Sequence, residues 1–141
     1  MKANLLLVLV FFIILGIYSV SAESSMNLTG KWVEEKIEGF RYSGELLNST
    51  GTEDYWILNQ TGNVVFGTNV FNDSTKMVEE LIAGSIRSDG KTVFIVDSSG
   101  GTYIADITAD DTLTINYINT GTKKAESNYA FALYQVLKRE K

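Results

Sequence analysis

Cysteine, histidine and proline are all absent from this chain of 141 residues. Without cysteine there is no disulfide, no thiolate metal site, no cysteine nucleophile and no lipid-attachment thiol. Without histidine the chain lacks the usual general base, the commonest metal ligand and the side chain that titrates nearest neutral pH. Without proline it has no Pro-rich linker and no cis-proline turn. Basic residues are outnumbered, 12 against 17 acidic, for a net charge of −5. An acidic chain with no basic run interleaved with aromatics points away from nucleic acid and anionic membrane as main partners. A G-x-S-x-G elbow, a phosphate-cradling glycine loop and an EF-hand pattern are also missing, so no metal, cofactor or catalytic residue is expected.

One long apolar run is present, at the N-terminus. Lys2 precedes the block Leu5–Ile17, which closes on Val20-Ser21-Ala22, small residues at the positions a signal peptidase reads. The block is about 13 residues, within signal-peptide range and short of the ~20 that span a bilayer. Residues 1–22 therefore read as a signal peptide, with a longer uncleaved anchor as the alternative. Residues 23–141 fit one domain large enough to bury a core without cross-links. The expected location is secreted or cell-surface, with no membrane contact once the leader is removed.

Short runs rich in Val, Ile, Thr, Tyr and Phe follow, divided by the turn signals Gly62-Asn63, Asp89-Gly90, Gly100-Gly101, Asp110-Asp111 and Gly121. Tyr103–Ile107 and Leu113–Tyr117 alternate apolar and polar, the period of a half-buried strand. The pattern predicts about eight strands: 28–37, 53–59, 63–71, 76–87, 92–97, 102–108, 112–119 and 129–138. Tight connections favour antiparallel neighbours, and closing the meander removes its exposed edges. The expected fold is thus all-β, a single-domain up-and-down barrel of calycin-like type. A Greek-key sandwich would need longer crossovers. Val93–Val96 and Tyr129–Val136 are apolar on both faces, which suggests a covered outer wall and a homo-oligomer, or a few apolar residues left exposed.

Gly39–Thr52 is the longest connection, polar but carrying Phe40, Tyr42, Leu46 and Leu47. It reads as a flap over a barrel mouth, as a surface loop, or as an extension of the first hairpin. The carboxylates, Glu34, Asp54, Asp97 and Asp106 among them, show no spacing that pairs two for acid–base work. The aromatics Trp32, Tyr42, Trp56, Phe66, Tyr103 and Tyr117 are spread over many strands. They could converge on an apolar pocket, the make-up of a small-ligand site, or fill the barrel. Four N-x-[ST] sequons, at Asn27, Asn48, Asn59 and Asn72, are candidate glycosylation acceptors in an exported protein, three of them at loop or turn positions.

Asn27-Leu28-Thr29-Gly30-Lys31-Trp32 resembles the first strand of avidins and lipocalins, whose G-x-W places a tryptophan at the barrel floor. The lipocalin likeness implies a basic residue from the last strand stacked on Trp32, here Lys138 or Arg139. No tryptophan follows Trp56, which departs from the avidin biotin site. A wider likeness, over Leu28–Trp32, Gln60–Gly67, Gly84–Thr92, Asp110–Tyr117 and Leu137–Arg139, is to uncharacterised small secreted β-barrel proteins of methanogenic archaea. That resemblance implies the fold and the exported setting, and carries no biochemical function.

These readings favour a non-enzymatic binding module for a small apolar ligand or an extracellular protein at the barrel mouth. The alternatives are a glycosylated cell-envelope component and a small inhibitor of extracellular proteases.

Overall fold

The computed structural model describes residues 26–41, 43–73, 75–109, 111–119 and 130–141. The leader, Tyr42, Asp110, Gly121 and the expected strand start at Tyr129 lie outside the described residues. Among the described residues nine strands form: β1 (Gly30–Arg41), β2 (Leu46–Thr50), β3 (Tyr55–Thr61), β4 (Val64–Asn72), β5 (Met77–Ile86), β6 (Thr92–Asp97), β7 (Thr102–Ala109), β8 (Thr112–Asn119) and β9 (Phe131–Arg139). From β3 to β9 each pairs antiparallel with its neighbour in sequence, and β9 returns to pair with β1. That pairing closes an eight-stranded barrel of β1 and β3–β9, which excludes the sandwich.

β2 is the addition. It forms a hairpin with the far half of β1, pairing Phe40 with Leu46 through Lys36 with Thr50. β3 takes the near half of β1, from Gly30 opposite Leu58 to Val33 opposite Tyr55. Of the alternatives for Gly39–Thr52, the extended first hairpin is therefore the one formed. Gly39 belongs to β1 because β9 comes too close there for a side chain: a Cβ would run into the Leu133 side chain and the Ala132 carbonyl.

Strand alternation sorts the interior. Val93 and Ile95 of β6, Ala105 of β7 and Leu113 and Ile115 of β8 are buried, while Phe94, Val96, Ile104 and Ile118 face outward. The barrel floor, where β1 begins and β9 ends, is plugged by residues 26–29. Trp32 is fully buried there, and its Nε1–H donates to the Leu28 carbonyl at 2.9 Å. The Arg139 guanidinium lies 4.5 Å from the centre of the Trp32 indole. At the opposite end, the mouth, the β1–β2 turn, the β4–β5 loop and the β6–β7 turn gather.

Candidate ligand cleft at the barrel mouth

Alternation along β1 turns Glu34 inward, two residues after Trp32, and leaves it 3% exposed. Its carboxylate accepts hydrogen bonds from Thr52 Oγ1 at 3.0 Å and from Gln135 Nε2 at 2.6 Å. No cation pairs with it among the described residues. Burial disfavours its charged form and pushes its pKa up to about 7, although both hydrogen bonds pull the other way and the Asp54 charge adds to the rise. Burial also raises Asp54, whose Oδ1 accepts the Asn72 N–H at 3.0 Å. Gln135 Oε1 is buried with no donor among the described residues.

Between Glu34 and solvent the barrel wall parts. β2 follows the upper half of β1, while β3 begins only at Tyr55, so the hairpin diverges from the tops of β3 and β4. A cleft of about 550 Å³ opens in this seam. Ile37 and Leu47 supply apolar wall, Asn48 and Ser49 polar wall, and Glu53 and Asp54 negative charge. Thr52 lines the cleft and also donates to Glu34, linking the open space to the buried carboxylate. Arg41 reaches the cleft but is held by Glu45 at 3.1 Å.

A second polar cluster stands under the β6–β7 turn. Asp97 Oδ1 accepts from the Ser99 N–H and hydroxyl and from the Gly101 N–H, at 2.7–2.8 Å, and Oδ2 accepts both the Tyr103 and Tyr117 hydroxyls at 3.0 Å. Burial alone would raise Asp97; the hydrogen bonds outweigh it and hold the carboxyl below its ordinary value. Burial, with the Asp97 charge beside them, pushes the Tyr117 phenol up to about 12 and the Tyr103 phenol higher. Both phenols stay protonated donors. Asn69 Nδ2 completes the cluster at 3.3 Å from the Tyr103 oxygen.

Of the six aromatics expected to line a pocket, the structure brings Trp56, Tyr103 and Tyr117 together. The Trp56 and Tyr103 rings meet edge to face with centroids 5.0 Å apart, and Tyr103 and Tyr117 lie 4.2 Å apart. Trp32 sits opposite Trp56 across β1 and β3, toward the floor. Phe66 stands apart on the outer wall, because Val65 takes the inward position of β4. Tyr42 lies outside the described residues. The four sequon asparagines are all exposed, but only Asn27 precedes a strand: Asn48 is on β2, Asn59 on β3, and Asn72 is the last residue of β4.

Residue type alone points away from Glu34, Gln135, Asn69 and Asp97, all of them polar and all buried. Their signal was period two: Glu34 continues the parity of Trp32, and Asp97 that of Val93 and Ile95. Among the described residues no three acidic side chains gather as a metal site requires.

Solved structures share this architecture, three of them as follows. A redesigned β-barrel, mFAP1, solved bound to DFHBI, aligns with a TM-score of 0.52 at 10% identity over 79% of this chain and 94% of its own. A deswapped triple mutant of bovine odorant binding protein aligns at 0.51 and 13% identity, covering 80% of this chain and 74% of its own. Odorant binding protein OBP1 aligns at 0.52 and 13% identity, with 84% and 74% covered. Such identities establish the fold alone: a closed antiparallel barrel of calycin-like type. No protein-family model and no curated protein matches the chain. Chemically, the arrangement suits binding, with apolar wall, hydrogen-bonding groups and negative charge meeting in one partly enclosed space.

Proposed function

We propose that this protein is an exported, non-enzymatic binding module that takes a small ligand, or a segment of an extracellular partner, at the barrel mouth. The observation that carries the reading is the cleft of about 550 Å³ between the β1–β2 hairpin and the start of β3, underlain by the Thr52–Glu34–Gln135 chain of hydrogen bonds. Its size falls in the range of small-ligand sites. The fold supports it too, since the similar barrels are named as odorant-binding proteins and as a barrel bound to DFHBI. The lining joins Ile37 and Leu47 to Glu53 and Asp54, so the ligand is amphiphilic rather than purely apolar. The leader pattern and the motif likeness to secreted archaeal proteins support export.

Native mass spectrometry of the protein purified from its own source tests this. Extra mass that leaves on denaturation, and is missing from a Leu47→Arg variant that fills the cleft, is the expected result. Bare protein in both forms, with no uptake of added ligands, would overturn the reading. A second reading, a glycosylated envelope component, draws on the exposure of Asn27, Asn48, Asn59 and Asn72. The same spectra test it through mass increments of glycans at those four sites.

A further inference from the structure

β2 is the one strand, among the described residues, that pairs on a single side. Its hydrogen-bonding parity is set at both ends. The Arg41 N–H donates to the Glu45 carbonyl at 2.9 Å, and the Gly51 N–H donates to the Glu35 carbonyl at 3.0 Å. Given the unbroken register between, antiparallel alternation turns the backbone of Leu47 and Ser49 toward β1. The N–H and C=O groups of Leu46, Asn48 and Thr50 point the other way, where no strand among the described residues meets them. Free edges are normally blunted by lysine, proline or a bulge. Leu46-Leu47-Asn48-Ser49-Thr50 has none of these.

This edge opens on the mouth cleft. Leu46, Leu47, Asn48 and Ser49 line it in succession. One face of a strand offers only every second residue, so the cleft takes in the edge of β2 as well as its inner face. On the far side stand Glu53 and Asp54, which have no cation within ion-pair distance among the described residues. Among the described residues the one cation lining the cleft, Arg41, is engaged by Glu45.

We propose that the cleft binds an extended peptide segment that adds to the free edge of β2, with a lysine or arginine side chain set against Glu53 and Asp54. The inference rests on the mouth cleft being the binding site, and it names the ligand class. Main-chain hydrogen bonds to Leu46, Asn48 and Thr50 supply sequence-independent affinity, and alternate side chains entering the cleft supply selectivity. The inward side chain of the added strand meets Ile37 and Leu47 on one side and the two carboxylates on the other. An alternating apolar–basic segment fits this wall better than a uniformly apolar one.

The probes are two capped pentapeptides, Val-Lys-Val-Lys-Val and Val-Glu-Val-Glu-Val, titrated into the isotope-labelled protein with amide exchange read residue by residue. The basic peptide is expected to slow exchange at Leu46, Asn48 and Thr50 about tenfold, and the acidic peptide to leave it unchanged. Asn48→Pro removes an N–H on the free side only, so the thermal midpoint should hold while affinity for the basic peptide falls about tenfold. Glu53→Lys, which leaves one cation beside the Asp54 carboxylate, should abolish the preference between the two peptides. Binding without protection of those three amides, or undiminished in Asn48→Pro, would overturn strand addition. Protection that is present without peptide and lost on dilution would assign the edge to a second copy and overturn the proposal equally. If the basic peptide fails while native spectra still show a ligand lost in Leu47→Arg, this inference alone falls; failure of both removes the cleft reading with it.

Discussion

The Arg139 guanidinium stacks 4.5 Å from the centre of the Trp32 indole, so the last strand is fastened to the first at the barrel floor. The same guanidinium donates to the carbonyls of Thr29 at 3.0 Å and Asn27 at 2.6 Å, and lies 3.3 Å from an Asp111 carboxylate oxygen. One side chain thus holds the plug segment, the β7–β8 turn and the floor tryptophan. Trp32→Ala is expected to cost ~3–5 kcal/mol, the range for emptying a large aromatic from a core. Arg139→Ala should cost ~2 kcal/mol through the lost stack and hydrogen bonds. Because the two residues touch, the double variant should lose less than the sum. Denaturant melts measure all three, and a Trp32→Ala loss below about 1 kcal/mol would contradict its burial.

Stability should fall as pH rises through neutrality. Glu34 binds its proton more tightly folded, with a pKa of about 7 against its ordinary 4.5. Between those values the folded protein holds a proton that the unfolded chain has released, and the loss, ~3 kcal/mol, is complete by about pH 8. The raised Asp54 acts in the same direction. Asp97, held below its ordinary value, does the opposite: its contribution is present above the unfolded pKa and is lost as pH falls through the folded one. Maximum stability is therefore expected near pH 4–5. Urea melts at pH 5 and pH 8 should show the decline, and Glu34→Gln should flatten that limb while leaving the acid limb in place.

The strands were legible where alternation and turn chemistry agreed. Thr92–Asp97 and Thr112–Asn119 have the bounds their patterns predict, with Asp89-Gly90 preceding one and Gly100-Gly101 following it. β2 was not legible as a strand, because Leu-Leu-Asn-Ser-Thr does not alternate and Gly39 looks like a breaker until β9 is laid beside it. The inward polar residues were hidden for a different reason. Glu34 has the parity of a core position and the chemistry of a surface one, and what resolves the conflict is Gln135, 101 positions away. The candidate cleft follows from β2, so it too was visible only as an unassigned long connection.

Gly101 and Asp97 test whether the mouth-side cluster is rigid. Gly101 is not in the left-handed region that demands glycine; its constraint is space, since a Cβ would meet the Tyr117 hydroxyl and the Asp97 carboxylate. Gly101→Ala should therefore cost ~1–3 kcal/mol, as overpacking does, and disturb the tyrosine near-ultraviolet circular dichroism. Asp97→Ala removes the carboxylate that accepts from the Tyr103 and Tyr117 hydroxyls, Ser99 and the Gly101 N–H, and should cost ~3–5 kcal/mol. Asp97→Asn, which keeps an acceptor oxygen but not the charge, should fall between wild type and Asp97→Ala.

The outer wall supplies the last contrast. An uncharged row crosses it by direct pairing: Val96 opposite Thr102, Thr102 opposite Ile118, Ile118 opposite Ala132, and Ala132 opposite Phe40. Val96 is 55% exposed and Ile118 58%, whereas their sequence neighbours Ile95 and Tyr117 are buried. Val96→Lys and Ile118→Lys should each shift stability by less than about 1 kcal/mol, since each replaces an exposed side chain on a solvated sheet face. Ile95→Ala and Ile115→Ala, which open cavities inside the barrel, should cost ~2–5 kcal/mol. The comparison separates two sources of outer-wall apolarity. If Val96→Lys costs as much as Ile95→Ala, and the cost falls with protein dilution, a second copy covers the row. If it costs little at every concentration, the row is exposed in the monomer and the apolar residues there pack against their cross-strand neighbours alone.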